Sequence, residues 1–274
     1  MAHCPAGARP LAHVVETRSP AAVAPVKSRT RPTARGKCAF LNPVTSGRVK
    51  VPLEAFDRLR KKSGPAQISA PKVLADKKAW PKATDWPDPL AGSAIYQEIV
   101  IDGRKIRVIR PSDPDMSGKI LPTIEQLADA LRAVPAGQRQ HTTTALVRLQ
   151  SKGGVLGLGG SGEIEIFPLD SSRNAKEREQ YDKSPQAYFD TLVTHECAHN
   201  YQAAFWKDAS GAKEWEEFAK NDHTPPSIYA RENGGEDFCE FIVLYNATVG
   251  TPCEALLKKI YPNRWLRFST YTTS

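Results

Sequence analysis

Residues 184–206 read SPQAYFDTLVTHECAHNYQAAFW, and the five at its centre, His195-Glu196-Cys197-Ala198-His199, decide how the rest of the chain is read. No Gly or Pro interrupts residues 186 to 209. Ser184 is placed to cap a helix whose first position is Pro185, where the missing N–H costs nothing. Tyr188, Leu192, Cys197 or Ala198, and Ala203 or Phe205 then recur at helical spacing. On a helix, positions i and i+4 share a face. His195 and His199 therefore present two imidazoles to one metal ion, with Glu196 beside them to act on a metal-held water. The bland alternative is two surface histidines on an amphipathic helix. A second constellation downstream argues against it.

That constellation is SIYARENGGEDFCEF, residues 227–241. A catalytic zinc site needs a third protein ligand and one open position. Glu236 and Glu240 lie four apart, on one face of a helix expected to begin near Gly234-Gly235. One would bind metal and the other would hold a ligand histidine from behind. Tyr229 lies seven residues before Glu236, in a loop opened by Thr224-Pro225-Pro226-Ser227. A phenol there is placed to meet the oxyanion that forms when water attacks a peptide carbonyl.

HECAH, Tyr229, six intervening residues, Glu236 and the run EDFCE together resemble the catalytic domain of the anthrax lethal factor type, a layout shared by bacterial Pro-Pro endopeptidases. These are gluzincins, zincins with two His and one Glu on zinc. The resemblance spans residues 95 to 270, with its specific matches in 194–200 and 227–241. It implies one catalytic Zn2+ held by His195, His199 and Glu236, Glu196 as general base and Tyr229 as the phenol that stabilises the transition state. Cys197 departs from the small or aromatic residue usual there. Glu240 as third ligand, with Glu236 behind a histidine, is the open alternative. The implied function is a zinc endopeptidase acting on a protein or peptide, in the manner of a delivered bacterial toxin or effector.

Other candidates read more plainly. His141 and His223 sit in polar segments and read as solvated loop histidines. Asp237 and Glu232 are further acids near the site, Asp237 being a candidate to orient a histidine. Cys239 and Cys253 read as small buried apolar residues. No C-x-x-C occurs, so no zinc ribbon is expected.

The formal charge of +8 is unevenly spread over the 274 residues. Residues 1–90 carry 17 basic and 6 acidic side chains, residues 91–274 carry 21 and 24. The front third also holds 12 of the 22 prolines. Segments such as RSPAAVAPVKSRTRPTARGK read as a disordered extension, with too little clustered apolar surface to offset ordering entropy. The expected division is a basic, Pro-rich extension over 1–90 and a metallopeptidase domain over 91–274. Within the extension, 51–64 reads as a short amphipathic helix through Leu53, Phe56 and Leu59. Residues 65–90 read as a linker anchored by Trp80 and Trp86. The basic part lacks aromatic interleaving or a recognition helix, so nucleic-acid binding is only an alternative function, as is a catalytically silent metal-binding module.

No secretory leader or membrane span is read from the chain. Five cysteines, an odd number, do not suggest a disulfide framework, and point to a chain made and folded in a reducing cytoplasm. Export or delivery without a cleaved leader stays open. A delivery carrier and a neutralising immunity or inhibitor protein are then the expected partners.

The domain itself reads as α+β, a small mixed sheet with an active-site helix and a helical C-terminal part. YQEIVI-DG-RKIRVIR predicts a hairpin around Asp102-Gly103. PTIEQLADALRAVP predicts a helix with Thr123 and Gln126 as a capping box. HTTTALVRLQ predicts a strand, and GGVLGLGGSGEIEIFP a glycine-rich turn region and strand. Residues 170–183 read as a solvated linker. Either Val155–Leu158 or Glu163–Phe167 would supply a sheet edge along which a substrate strand is added, with a plain flexible loop as the alternative.

Overall fold

The computed structural model describes residues 38–42, 47–74, 94–111, 119–149, 154–170, 174–206 and 209–272. Of the extension expected to be mostly disordered over 1–90, residues 1–37, 43–46 and 75–90, with Trp80 and Trp86, lie outside them. The described chain is mixed α+β, a mixed sheet followed by helices, as its pattern predicts.

After a 3₁₀ turn at Ala39–Leu41 come helix α1 (Leu53–Lys62) and short strands β1 (Gln67–Ile68) and β2 (Lys72–Leu74). Both pair antiparallel with β3 (Ala94–Ile101). β3 turns back into β4 (Arg104–Pro111) with Ile101 opposite Arg104. Asp102 and Gly103 both take positive φ, 52° and 76°, the backbone a two-residue type I′ hairpin demands. β5 (Lys119–Ile120) leads into α2 (Ile124–Ala133), whose Thr123 hydroxyl accepts from Gln126 N while the Gln126 side chain accepts from Thr123 N. The short α3 (Ala136–Arg139) precedes β6 (Thr144–Val147), parallel to β4. β7 (Gly157–Gly160) and β8 (Glu163–Ile166) form a second two-residue hairpin through Ser161 and Gly162, and β8 lies parallel to β6. The strand order β1-β3-β4-β6-β8-β7 leaves β7 at one edge. β9 (Leu169–Asp170) pairs with β5 apart from this sheet.

Helices make up the remainder. They are α4 (Ala175–Lys183), α5 (Pro185–Trp206), α6 (Ala209–Asn221), α7 (Gly234–Thr248), α8 (Glu254–Ile260) and α9 (Pro262–Thr272). The expected linker over 170–183 is thus mostly helix. α4 buries no side chain and is supported by the i,i+4 pairs Arg178–Asp182 and Lys183–Glu179.

Two core clusters meet on α5. One lies between the sheet and α2, through Ile99, Val108, Leu131, Ile164, Leu192 and Val193. The other joins α5 to α7 and the C-terminal helices, through Ala198, Phe205, Phe238, Phe241, Ile242 and Phe268. A helix packed on several sides is buried around most of its circumference. His195, Glu196, Cys197 and Ala198 are all at most 1 % exposed.

Residues assigned to the extension take part in this second core. Val49, Val51, Phe56 and Leu59 are buried with Phe238 and Phe241, so the described stretch 47–62 is built into the domain. Cys38 is disulfide-bonded to Cys253, 215 residues away, at the start of α8. This corrects the reading of Cys253 as a buried free thiol. The free cysteines among the described residues are Cys197 and Cys239, both buried. Among the described residues no helix is long and apolar enough to cross a membrane.

Candidate metal centre

α5 and α7 face each other, and each offers polar groups one helical turn apart. Asn233 starts α7 by accepting from the backbone N–H of Gly235 and Glu236, which points Glu236 at α5 from the first turn. Glu236 Oε2 lies 2.9 Å from His195 Nε2 and 3.5 Å from His199 Nε2. One carboxylate oxygen is thus shared by two imidazole nitrogens. Glu240, one turn on and fully buried, contacts the other nitrogen of His195, Nδ1, at 2.8 Å. Its second oxygen accepts from Val49 N at 2.6 Å. Glu240 therefore stands behind His195, and Glu236 stands before both histidines.

Glu196 is 1 % exposed and meets Arg48, whose Nη1 is 3.0 Å from Oε1. The same guanidinium lies 4.6 Å over the Tyr229 ring. Tyr229 opens a 3₁₀ turn, Tyr229–Arg231, braced where Ser227 Oγ accepts from Ala230 N and where Gly47 O accepts from Tyr229 N. Its ring centroid is 5.7 Å from that of His195. A cavity of about 190 Å³ opens beside Arg48, Tyr229, Glu236, Val155 and Leu156.

Charge inside this centre is poorly balanced. Three carboxylates share the centre with one permanent cation: Glu196 pairs with Arg48, whereas Glu236 and Glu240 pair with the histidines. Burial pushes the Glu236 carboxyl up, but its hydrogen bonds to His195 and His199 outweigh this and hold it well below the usual carboxylate range. Burial and Arg48 disfavour a charged His195, yet Glu236 and Glu240 raise it above the ordinary imidazole value. Burial lifts the Tyr229 phenol above its ordinary value, against the pull of Arg48. The centre is therefore arranged to hold additional positive charge in a buried place. Two imidazole nitrogens converging on a carboxylate oxygen form a donor set that fits zinc.

The further neighbours of the two histidines differ. His195 Nδ1 meets Glu240, whereas the Cys239 thiol lies beside His199. Donor atoms of His195, His199 and Cys239 all lie within 4.8 Å of one another. The sequence marks Cys239 as a small buried apolar residue, and it is fully buried. Its spacing of three from Glu236 was the available signal, since i and i+3 share a helix face.

Of the residues singled out in the sequence, His195, Glu196, His199, Tyr229, Glu236 and Glu240 come together. Asp237 does not. It is turned into the second core, where it accepts from Arg264 Nη2 at 2.6 Å and from Trp215 Nε1 at 3.0 Å. Asp237 thus orients no histidine, because position 237 points a quarter-turn away from the Glu236–Glu240 face. Glu232 is exposed on the cavity rim. His141 packs on Tyr201, and His223 sits at a positive-φ turn after α6. Arg48 was missed altogether, and no local pattern marks it.

β7 runs directly along α5. A Cβ on Gly159 would lie 2.1 Å from the Glu196 carbonyl oxygen, and one on Gly157 would lie 2.4 Å from Glu196 Oε1. Glycine here serves close approach between strand and helix.

No family model matches the chain, and neither a curated protein nor a solved structure does.

Proposed function

We propose that this protein is a zinc-dependent endopeptidase with a zincin-like fold of the gluzincin kind. The observation that carries the reading is the convergence of His195 Nε2 and His199 Nε2 on Glu236 Oε2, with Glu196 and Tyr229 alongside. Zinc in this position would be held by His195, His199 and Glu236, and would polarise a water and the scissile carbonyl. Glu196 takes the proton of the attacking water and passes it to the leaving amine. The Tyr229 phenol donates to the oxyanion. Glu240 holds His195 in the tautomer that frees Nε2. The unpaired side of β7 is an edge on which an extended peptide can be added as a strand, beside Glu196. That favours Leu158 and its neighbours over the Glu163–Phe167 strand, which is paired on both sides.

A second reading has one observation in its favour. Arg48 occupies Glu196 Oε1, as it would in a metal-holding module that does not hydrolyse peptides. The Cys38–Cys253 bond supports a place of action outside a reducing cytosol, consistent with export or delivery.

The deciding experiment is elemental analysis with a cleavage assay on a mixed peptide library. Wild type is expected to hold about one zinc per chain and Glu236→Gln to lose it. Glu196→Gln should keep zinc and lose cleavage. Tyr229→Phe should keep zinc and lose about 10²–10³ in turnover. A wild type without zinc after loading ends the metallopeptidase reading. Zinc binding without cleavage leaves the module.

A further inference from the structure

We propose that Cys239 is a sulfur ligand of this centre, so that a thiophilic divalent ion binds through His195, His199 and Cys239. The proposal rests on the metal-centre reading above. Three residues of α7, Glu236, Cys239 and Glu240, are spaced i, i+3, i+4 and so share the face that meets His195 and His199 on α5. Their positions in depth differ. Glu236 is half-buried and lines the cavity, whereas Cys239 is fully buried and does not line it. The donor atoms of His195, His199 and Cys239 lie within 4.8 Å of one another. Ligand atoms on a tetrahedral zinc stand about 3.5 Å apart, given bond lengths near 2.0–2.3 Å. Small side-chain rotations close that difference.

A thiol here changes what the centre selects. Sulfur with two imidazoles favours Zn(II), Co(II) and Cd(II) over Mg(II), Ca(II) or Mn(II), which prefer oxygen. On binding, the S–H bond breaks, the proton leaves to solvent and a metal–sulfur bond forms. Glu236 remains an oxygen ligand on the cavity side, and a water would enter as a fifth ligand, an expansion zinc sites allow. Cys197, the other free thiol, belongs to the core beneath the sheet and serves as the internal control.

The test is titration of the full chain with cobalt(II), followed by absorption. A sulfur ligand produces a near-ultraviolet charge-transfer band that grows with the visible ligand-field bands. We expect both in wild type and in Cys197→Ser. Cys239→Ser should lose the near-ultraviolet band and keep the visible ones. Visible bands alone in wild type would overturn the proposal and leave a nitrogen–oxygen metal centre standing. A near-ultraviolet band that survives in Cys239→Ser would overturn it as well. No cobalt uptake would end both readings. Should Cys239→Ser fail to fold, the cadmium NMR shift of the wild-type protein decides, since sulfur moves it strongly downfield. A shift typical of nitrogen and oxygen ligands overturns the proposal.

Discussion

Arg48 Nη1 lies 3.0 Å from Glu196 Oε1, joining residues 148 apart in sequence at a carboxylate that is only 1 % exposed. Burial works against the guanidinium's charge, but Glu196, Tyr229, Glu240 and Glu236 together raise its pKa well above the ordinary value. Removing one member of a buried pair strands the other. Arg48→Gln should therefore cost about 3 kcal/mol of unfolding free energy. The double variant Arg48→Gln/Glu196→Gln should recover about 1–3 kcal/mol relative to additivity. Urea unfolding of the four proteins measures the coupling. Strict additivity would mean that the pair carries no energetic weight.

The approach of β7 to α5 gives a sharper steric prediction. In Gly159→Ala the new methyl would meet the Glu196 carbonyl oxygen at 2.1 Å and His199 Cβ at 2.9 Å, both on a rigid helix. The strand must move, at a cost of about 1–3 kcal/mol, and zinc affinity should fall with it. Gly160→Ala meets nothing within 4 Å and should lie within about 0.5 kcal/mol of wild type. Thermal melts and zinc content of the two variants make the comparison. Equal behaviour would show that β7 does not brace the centre.

Asp190, on α5 ahead of the HECAH turn, governs stability at mildly acidic pH. Burial pushes its carboxyl up to about 6, against the opposing pull of Arg60 and Gln186. In the unfolded chain it titrates near the ordinary carboxylate value of about 4. Between those values the folded state holds a proton that the unfolded state has lost. Stability contributed by this group is therefore full below pH 4 and declines as pH rises through 6, by about 3 kcal/mol in all. Asp190→Asn should flatten that part of the stability–pH curve. An unchanged slope between pH 4 and 6 in the variant would refute the assignment.

The Cys38–Cys253 bond closes a loop of 215 residues. Chain-entropy estimates for so long a loop reach about 5 kcal/mol. Cys38→Ser, or wild type under reducing agent, should melt roughly 10–20 °C lower. The reductant should have no further effect on the variant. A wild-type Tm insensitive to reduction would show that the bond is not formed in solution.

How much of this was legible beforehand depends on range along the chain. The hairpin at Asp102-Gly103 and the Thr123–Gln126 capping box are local, and both stand where the residues placed them. The solvated segment before Ser184 misled because α4 buries no side chain and carries no apolar stripe. Asp237 misled because helical spacing alone does not say which neighbour a carboxylate meets, and Arg264 comes from α9.

The sequence by itself determined the α5 helix and its i,i+4 histidines, the Glu236–Glu240 face of α7, and the mixed α+β class. Each follows from residue type and spacing within one or two turns of backbone. Only the tertiary structure decided that Glu236 faces both histidines while Glu240 stands behind one, and that the Cys239 thiol lies beside the other. It alone brought Arg48 and Val49 from the basic front segment to Glu196 and Glu240, 148 and 191 residues away. Contacts at that range come from the burial of Val49, Val51 and Phe56 in a shared core. Hydrophobic burial is non-directional and leaves no periodic trace that names the partner.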